Sequence, residues 1–160
     1  ARELLVAMHL FNGRSRFDEV RYDEQIVVLD DEEPLVAAIR NTGAELKIFE
    51  RIDAPADGLL PSADAPGWIG KSALAILTAT SIINGTAGDL LEAAAGCAQV
   101  VMLGPSTPLS EEIFSETPVT RLSGVTVADA EGVRRAVSEG GGTRMFMPYV
   151  NKVNLFLPRL

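Results

Sequence analysis

With 160 residues, of which 47% are apolar and 22% charged, the chain has the composition of one ordinary globular domain. Its formal net charge of −8 disfavours binding to nucleic acid or to anionic lipid, and no cluster of Lys and Arg offsets it. No apolar stretch reaches the roughly 20 residues that span a bilayer, and no secretory signal is expected at the amino terminus. A single cysteine excludes internal disulfides and predicts a reducing, cytoplasmic compartment.

Apolar residues at helical spacing predict an amino-terminal helix over residues 1–12, followed by a polar connector to residue 24. Beyond it, short apolar runs alternate with segments of helical pattern, which indicates a parallel sheet with helices on both faces. The predicted strands are 25–29, 46–49, 74–78, 100–103 and 119–127, the last one broken at Ser123-Gly124. Residues 25–160 are therefore expected to form a doubly wound, Rossmann-like α/β domain with a mostly parallel sheet of about five strands.

The predicted helices follow from caps and prolines between these strands. They run from Pro34 to Gly43, from Thr86 to Gly96, from Thr107-Pro108 to Phe114, and from the cap Asp129 to Val137. Residues 53–70 carry several prolines and glycines and are predicted to be loop with a short turn. Residues 140–160 leave room for a short final strand.

Most of the predicted strands stop at a small, polar loop, and ligands of such sheets bind outside the carboxyl ends of the strands. We therefore expect these loops to converge on a ligand. The candidate ligand-binding residues are Thr80, Ser81, Asn84, Gly85, Thr86, Gly104, Pro105, Ser106, Thr107, Ser123, Gly141, Gly142 and Arg144.

Each of these loops also has a purely structural interpretation. The loop at Gly104 opens a helix, so its amides favour an anion or a carbonyl oxygen, but Thr107 could serve only as the helix cap. A helix is predicted after the next loop whether or not a ligand binds there, so Asn84 or Thr86 is needed as its cap. The three glycines before Arg144 suit an anion-binding nest beside a bidentate guanidinium, or else a flexible loop with a surface arginine.

Four acidic residues, from Asp30 to Glu33, follow the first strand and affect which cofactors can bind there. A dinucleotide site requires Gly-x-Gly-x-x-Gly at this place, and four carboxylates would repel pyrophosphate. Conventional NAD binding is therefore disfavoured, although Glu50 lies where a ribose-binding acid would. Asp30, Asp31 and Glu50 are weak candidates for a divalent cation, against the commoner role of acids in a first helical turn. The chain has one histidine, His9, and one cysteine, Cys97, so it cannot form a self-contained tetrahedral zinc-type site.

Three blocks of sequence resemble the putative heavy-metal chelation family, which was formerly catalogued as a domain of unknown function. They are Ile76–Thr86 (ILTATSIINGT), Val101–Leu109 (VMLGPSTPL) and Val137–Arg144 (VSEGGGTR), the last followed by Pro148-Tyr149, and the resemblance spans residues 25–157. It implies a Rossmann-like carboxyl-terminal domain, preceded by a small enolase-amino-terminal-like domain with a pocket where the two meet. Residues 1–24 then link to that domain, so we expect a fragment, a truncated form, or half of a two-chain assembly.

Three functions remain open at this point. The first is binding or chelation of a small anionic ligand, with or without a metal, in which amides and hydroxyls hold its oxygens and Arg144 supplies the charge. The second is an enzyme of small metabolites with Glu139 or Glu50 as acid or base. The third is a non-catalytic subunit that docks a second copy or a partner chain through the amino-terminal helix.

Overall fold

The computed structural model describes residues 25–29, 36, 39–41 and 43–158. The predicted amino-terminal helix and connector lie outside the described residues, as do His9, Asp30 and Asp31. Within the described part of the chain, no helix combines the length and hydropathy that crossing a bilayer requires.

In the part of the chain that the structure describes, seven strands form one sheet in the order β3-β2-β1-β4-β5-β6-β7. The strands are β1 (Gln25–Leu29), β2 (Glu45–Glu50), β3 (Leu59–Pro61), β4 (Leu74–Thr78), β5 (Gln99–Leu103), β6 (Arg121–Val127) and β7 (Val150–Phe156). All neighbours pair in parallel except β7, which is antiparallel to β6. The doubly wound α/β class is thus confirmed, with seven strands where about five were predicted.

Short helices connect the strands. They are α1 (Ala65–Ile69), α2 (Thr80–Ile83), α3 (Ala87–Ala93), α4 (Glu111–Phe114), α5 (Ala130–Ser138) and α6 (Thr143–Phe146). Between β1 and β2, residues Val36, Ile39 and Arg40 are helical, and Gly43 has a φ of 82°. Glycine at a positive φ is a common way to end a helix, so the predicted stop at this glycine is confirmed.

The prediction of loop over residues 53–70 was wrong, because β3 and α1 lie within it. Leu59 and Leu60 pair with Ile48 and Phe49 of β2, which extends the sheet by one short edge strand. Prolines are compatible with these places, since Pro61 is the last residue of an edge strand and a proline occupies the first turn of α1. The proline content of this segment therefore reflects edge and helix-start positions, not a loop.

The predicted break at Ser123-Gly124 is also absent, because β6 runs through both residues and pairs with β7 along its whole length. Gly124 is buried, and a Cβ added to it would lie 3.2 Å from side-chain atoms of Thr107 and Leu109. The missing side chain allows the segment after β5 to pack against the strand. Glycine here serves close approach within a continuous strand.

Of three predicted helix starts, the one at Thr107-Pro108 is wrong, whereas those at Thr86 and Asp129 are confirmed. α4 begins at Glu111, with Ser110 at the N-cap, so Thr107-Pro108 does not open it. Thr86 is at the N-cap of α3 as predicted, but its side chain makes no capping bond, and its hydroxyl instead donates to the Ser81 carbonyl over 3.4 Å. The carboxylate of Asp129 does cap α5, accepting the N–H groups of Glu131 and Gly132 at 3.0 Å.

The strand order places a topological switch point between β1 and β4. From β1 the chain builds the sheet outward through β2 to β3, and from β4 it builds the sheet in the other direction. The core beside these strands includes Phe49, Leu77, Met102 and Leu122, each at most 1% exposed. In open α/β sheets, the crevice at the switch point is where ligands bind.

Candidate functional site

A pocket of about 400 Å³ opens at the carboxyl ends of β2 and β4, the two strands that flank β1. We call it the strand-end pocket. Three segments line it: the end of β2, the turn from β3 into α1, and the stretch from the end of β4 into α3. The lining residues are Phe49, Glu50, Arg51, Ser62, Ala63, Pro66, Thr78, Thr80, Ser81, Asn84, Thr86, Asp89 and Leu90. Its volume is within the range of small-molecule sites, about 300–1,000 Å³.

The β2 side of the pocket carries a carboxylate and a guanidinium at successive positions. Glu50 is the last residue of β2 and is opposite Pro61 of β3 in the parallel register. Its Oε2 accepts the backbone N–H of Arg51 over 3.3 Å. Glu50 is half-buried and Arg51 is exposed, so opposite charges lie next to each other at this rim.

The β4 side is a hydroxyl-rich loop that local hydrogen bonds hold in shape. The buried Ser81 hydroxyl donates to the Thr78 carbonyl over 2.7 Å, and the Thr86 N–H donates to the Ser81 carbonyl over 2.9 Å. Gly85, at a φ of 73°, allows the turn between them. Thr80, Asn84 and Thr86 remain exposed on this frame. Ser81 therefore orders the loop, while its exposed neighbours present polar groups to the pocket.

The structure brings five predicted residues together in this lining: Thr80, Ser81, Asn84, Thr86 and Glu50. Gly85 lies between two of them in the same turn. The sequence reasoning missed Arg51, Asp89, Ser62, Ala63 and Pro66. Arg51 follows the predicted strand end directly, so the rule that selected Glu50 could have included it. Ser62, Ala63 and Pro66 follow β3, the strand that was not predicted.

The loop at Gly104–Thr107 lies beside the β4 loop, but its Gly104 amide and its Thr107 hydroxyl bond to the protein. The Ala79 N–H donates to the Leu103 carbonyl over 2.7 Å, which joins the two strand ends. The Gly104 N–H and the buried Thr107 hydroxyl both donate to the carbonyl of Ser123 over 3.0 Å. These bonds fasten the segment after β5 to β6. Pro105 and Ser106 are the exposed residues of this loop.

Ser123 is buried within the sheet. It is 3% exposed, and its hydroxyl donates to Oδ1 of Asn154 on β7 over 2.6 Å. Nε of the buried Arg121 donates to the same oxygen over 3.2 Å. Burial lowers the pKa of Arg121 to about 10, because desolvation disfavours the charged guanidinium. The hydrogen bonds from Ser123 and Arg121 to Asn154 therefore hold the antiparallel strand β7 against β6.

The three consecutive glycines follow the carboxyl end of a helix, not of a strand. The Gly141 N–H donates to the Ala136 carbonyl over 2.8 Å, and the Gly140 N–H donates to that of Val137 over 3.0 Å. With Gly140 at a φ of 78°, these bonds form a Schellman motif that ends α5. Arg144 is exposed on α6. The pocket lining in the described part of the chain includes none of Gly141, Gly142, Arg144 or Glu139.

The described residues do not form a site suited to a soft metal ion. Among them, no group of three or more His, Cys, Asp and Glu side chains is placed to hold a metal. Cys97 is buried, and its thiol donates to the Ile69 carbonyl over 3.2 Å. Burial raises the pKa of this thiol from 9.0 to about 11, so little thiolate forms at neutral pH. Of the described lining residues, Glu50 and Asp89 are the ones with carboxylates for a cation.

Fold and site together define a doubly wound α/β domain with a pocket at its strand ends. The chain belongs to the DUF364 family, whose description is "putative heavy-metal chelation" and whose model matches residues 17–156. No curated protein matches the chain.

Two solved structures of that family show the same fold. A protein of unknown function from Pyrococcus horikoshii is 19% identical, with a TM-score of 0.78 over 96% of this chain and 65% of that one. A protein of unknown function from Desulfitobacterium hafniense DCB-2 is 22% identical, with a TM-score of 0.76 over 84% of this chain and 53% of that one. The chain therefore spans between half and two thirds of the length of these relatives.

Proposed function

We propose that the protein binds a small, oxygen-rich, anionic ligand in the strand-end pocket, and that a metal ion enters as part of that ligand. The observation that carries the proposal is the convergence of three strand-end segments on one cavity of about 400 Å³ at the switch point. Polar side chains of the β4 loop and opposite charges of the β2 end face the same space. Pockets with a few convergent polar groups are the usual sites of small ligands.

The lining suits a ligand that bears both signs of charge. Arg51 supplies guanidinium donors for a carboxylate or phosphate oxygen. Glu50 and Asp89 supply carboxylates for the positive charge of a metal ion. The hydroxyls of Thr80 and Thr86 and the amide of Asn84 are donors for further ligand oxygens. An anionic chelator carrying a metal cation presents this combination of charges and oxygens.

The family description agrees with this proposal in one specific way. Heavy metals prefer thiolate and imidazole ligands, and the residues that the structure describes in the pocket lining include neither Cys nor His. A chelator that brings its own donor atoms satisfies the metal without them. Binding the complex, with the metal as cargo, is therefore the form of chelation that these residues support.

A panel of chelators tests the proposal by thermal shift and calorimetry. Citrate, nitrilotriacetate and phosphate are added alone and with Co²⁺, Ni²⁺ or Zn²⁺, beside each bare ion. A complex at about 100 times its Kd should raise the Tm by about 5–10 °C. Ligand that binds the folded state raises the free energy of unfolding, and for a domain of this size that increase corresponds to a Tm shift in this range.

Two variants of pocket residues and one control variant locate the effect. Asn84→Ala and Arg51→Ala remove exposed groups of the pocket and should weaken binding of the complex at least about tenfold. Arg144→Ala removes an exposed cation outside the pocket lining and should leave binding unchanged. If bare ions bind as tightly as their complexes, or if Arg144→Ala abolishes binding while Asn84→Ala does not, the proposal is wrong.

A further inference from the structure

We infer that the ligand of the strand-end pocket is an aromatic chelator, a planar ring that carries its metal-binding donor atoms on its rim and packs one face against an apolar wall of the pocket. This inference rests on the proposed function, since it names the chemical class of the anionic, metal-bearing ligand for the same pocket. The apolar wall consists of the lining residues without polar side-chain atoms, which are Phe49, Ala63, Pro66 and Leu90.

The first argument is that the apolar wall continues into the core of the domain. Phe49 and Leu90 belong to the hydrophobic core cluster and are 1% and 4% exposed. Ala65 at the start of α1 belongs to the same cluster, so Ala63 and Pro66 flank a residue that is anchored in the core. Ala63 and Pro66 are themselves exposed. The pocket therefore offers a ligand apolar surface that is backed by packed side chains.

The second argument is that this wall is fixed in place. α1 and α3 pack against each other, and a Cβ added to Gly70, just after α1, would lie 3.4 Å from the carbonyl oxygen of Ala93 at the end of α3. The Cys97 thiol donates to the Ile69 carbonyl over 3.2 Å, which joins α1 to the segment that follows α3. A wall held by such contacts adapts little to a flexible ligand, whereas a rigid ring binds it without losing rotamer freedom.

The third argument is that polar and apolar groups adjoin in this pocket. Thr86, Asp89 and Leu90 are three and four residues apart at the start of α3, so they share one face of the helix. An aliphatic chelator such as citrate carries charged oxygens in every direction, and some of them would be pressed against side chains that cannot donate hydrogen bonds. An aromatic chelator has apolar faces and a polar rim. Its face meets the apolar wall while its rim meets the polar groups of Arg51 and Asn84.

Two anionic chelators with the same donor atoms test the inference. Pyridine-2,6-dicarboxylate and iminodiacetate each bind a divalent metal through two carboxylates and one nitrogen, and only the first holds them on an aromatic ring. Calorimetry compares their equimolar complexes with Ni²⁺. The pyridinedicarboxylate complex should bind at least about tenfold more tightly, because its ring buries a flat apolar face that iminodiacetate lacks.

Two exposed alanines supply the matched variants. Ala63 is the middle residue of the 3₁₀ turn Ser62–Asp64 in the wall, and Ala95 is the middle residue of the 3₁₀ turn Ala94–Gly96, outside the pocket lining. Ala63→Asn places an amide against the ring and should weaken the pyridinedicarboxylate complex at least about fivefold, with a smaller effect on the iminodiacetate complex. Ala95→Asn should leave both affinities unchanged. The Tm of each variant reports that the domain is folded.

The results separate this inference from the proposed function. If the iminodiacetate complex binds as tightly as the pyridinedicarboxylate complex, the aromatic assignment is wrong. It is also wrong if Ala63→Asn has no effect, or if Ala95→Asn has an equal one. The proposed function still stands in those cases if metal complexes bind in a manner that depends on Asn84. If no complex of these or the other chelators binds, both are overturned.

Discussion

Neighbouring glycines near residue 141 show how differently the same residue type is used. Gly140 is needed for its positive φ and Gly141 for space, since a Cβ there would be 2.6 Å from the Ala136 carbonyl oxygen. Gly142 has a φ of −81°, and a Cβ on it would meet nothing within 4 Å. The Schellman bonds account for the first two glycines without a ligand.

We predict that Gly141→Ala lowers the free energy of unfolding by about 1–3 kcal/mol, because its methyl group would collide with backbone that ends α5. Gly142→Ala is the matched control and should change it by less than about 0.5 kcal/mol. Urea denaturation of both variants measures the difference. Equal stabilities would show that the close approach at Gly141 is not a constraint on the fold.

The segment between β5 and α4 depends on one side-chain bond to a neighbouring strand. Thr107 is 6% exposed, and its hydroxyl reaches the Ser123 carbonyl of β6, where the absent side chain of Gly124 makes room for it. The threonine that resembles a helix cap in the sequence therefore links two elements.

Thr107→Val, which keeps the shape but removes the hydroxyl, should lower the free energy of unfolding by about 1–2 kcal/mol. Thr126→Val changes an exposed threonine of β6 in the same way and should have an effect within about 0.5 kcal/mol. Chemical denaturation of both proteins gives the comparison. A similar, small effect at the two positions would contradict the linking role of Thr107.

At the scale of the whole sheet, stability should decrease from the centre to the edges. β4 pairs with β1 and β5, and four of its five residues are buried, whereas β3 is a three-residue edge strand with half-buried residues. Opening a central strand requires breaking two ladders and exposing the core, while an edge strand can open alone.

Native-state hydrogen exchange should therefore find the slowest amides in β4 and β5 and faster exchange in β3. The two central strands should exchange only through global unfolding, so their amides should report one common free energy. Amides of β3 as slow as those of β4 would show that the edge strand opens only with the whole sheet.

The sequence determined the parallel core and part of the lining of the strand-end pocket. Uniformly apolar runs such as Leu74–Thr78 are recognisable because both of their faces are covered, and their ends follow from the change to small polar residues. The sequence did not reveal β3, since three residues at an edge carry too short a pattern. It did not reveal the continuity of β6, since the reason for Gly124 is a contact with a distant residue.

The candidate site residues were likewise predictable from the sequence only in part. Local pattern was sufficient to select Thr80, Asn84, Thr86 and Glu50, because the carboxyl end of a parallel strand is a property that sequence alone conveys. Only the tertiary structure decided that Thr107 and Ser123 bond to the protein and that Gly141 ends a helix. Their hydroxyls and amides have the same chemistry whether they face a ligand or a carbonyl group. Which of the two they meet depends on contacts between residues far apart in the chain.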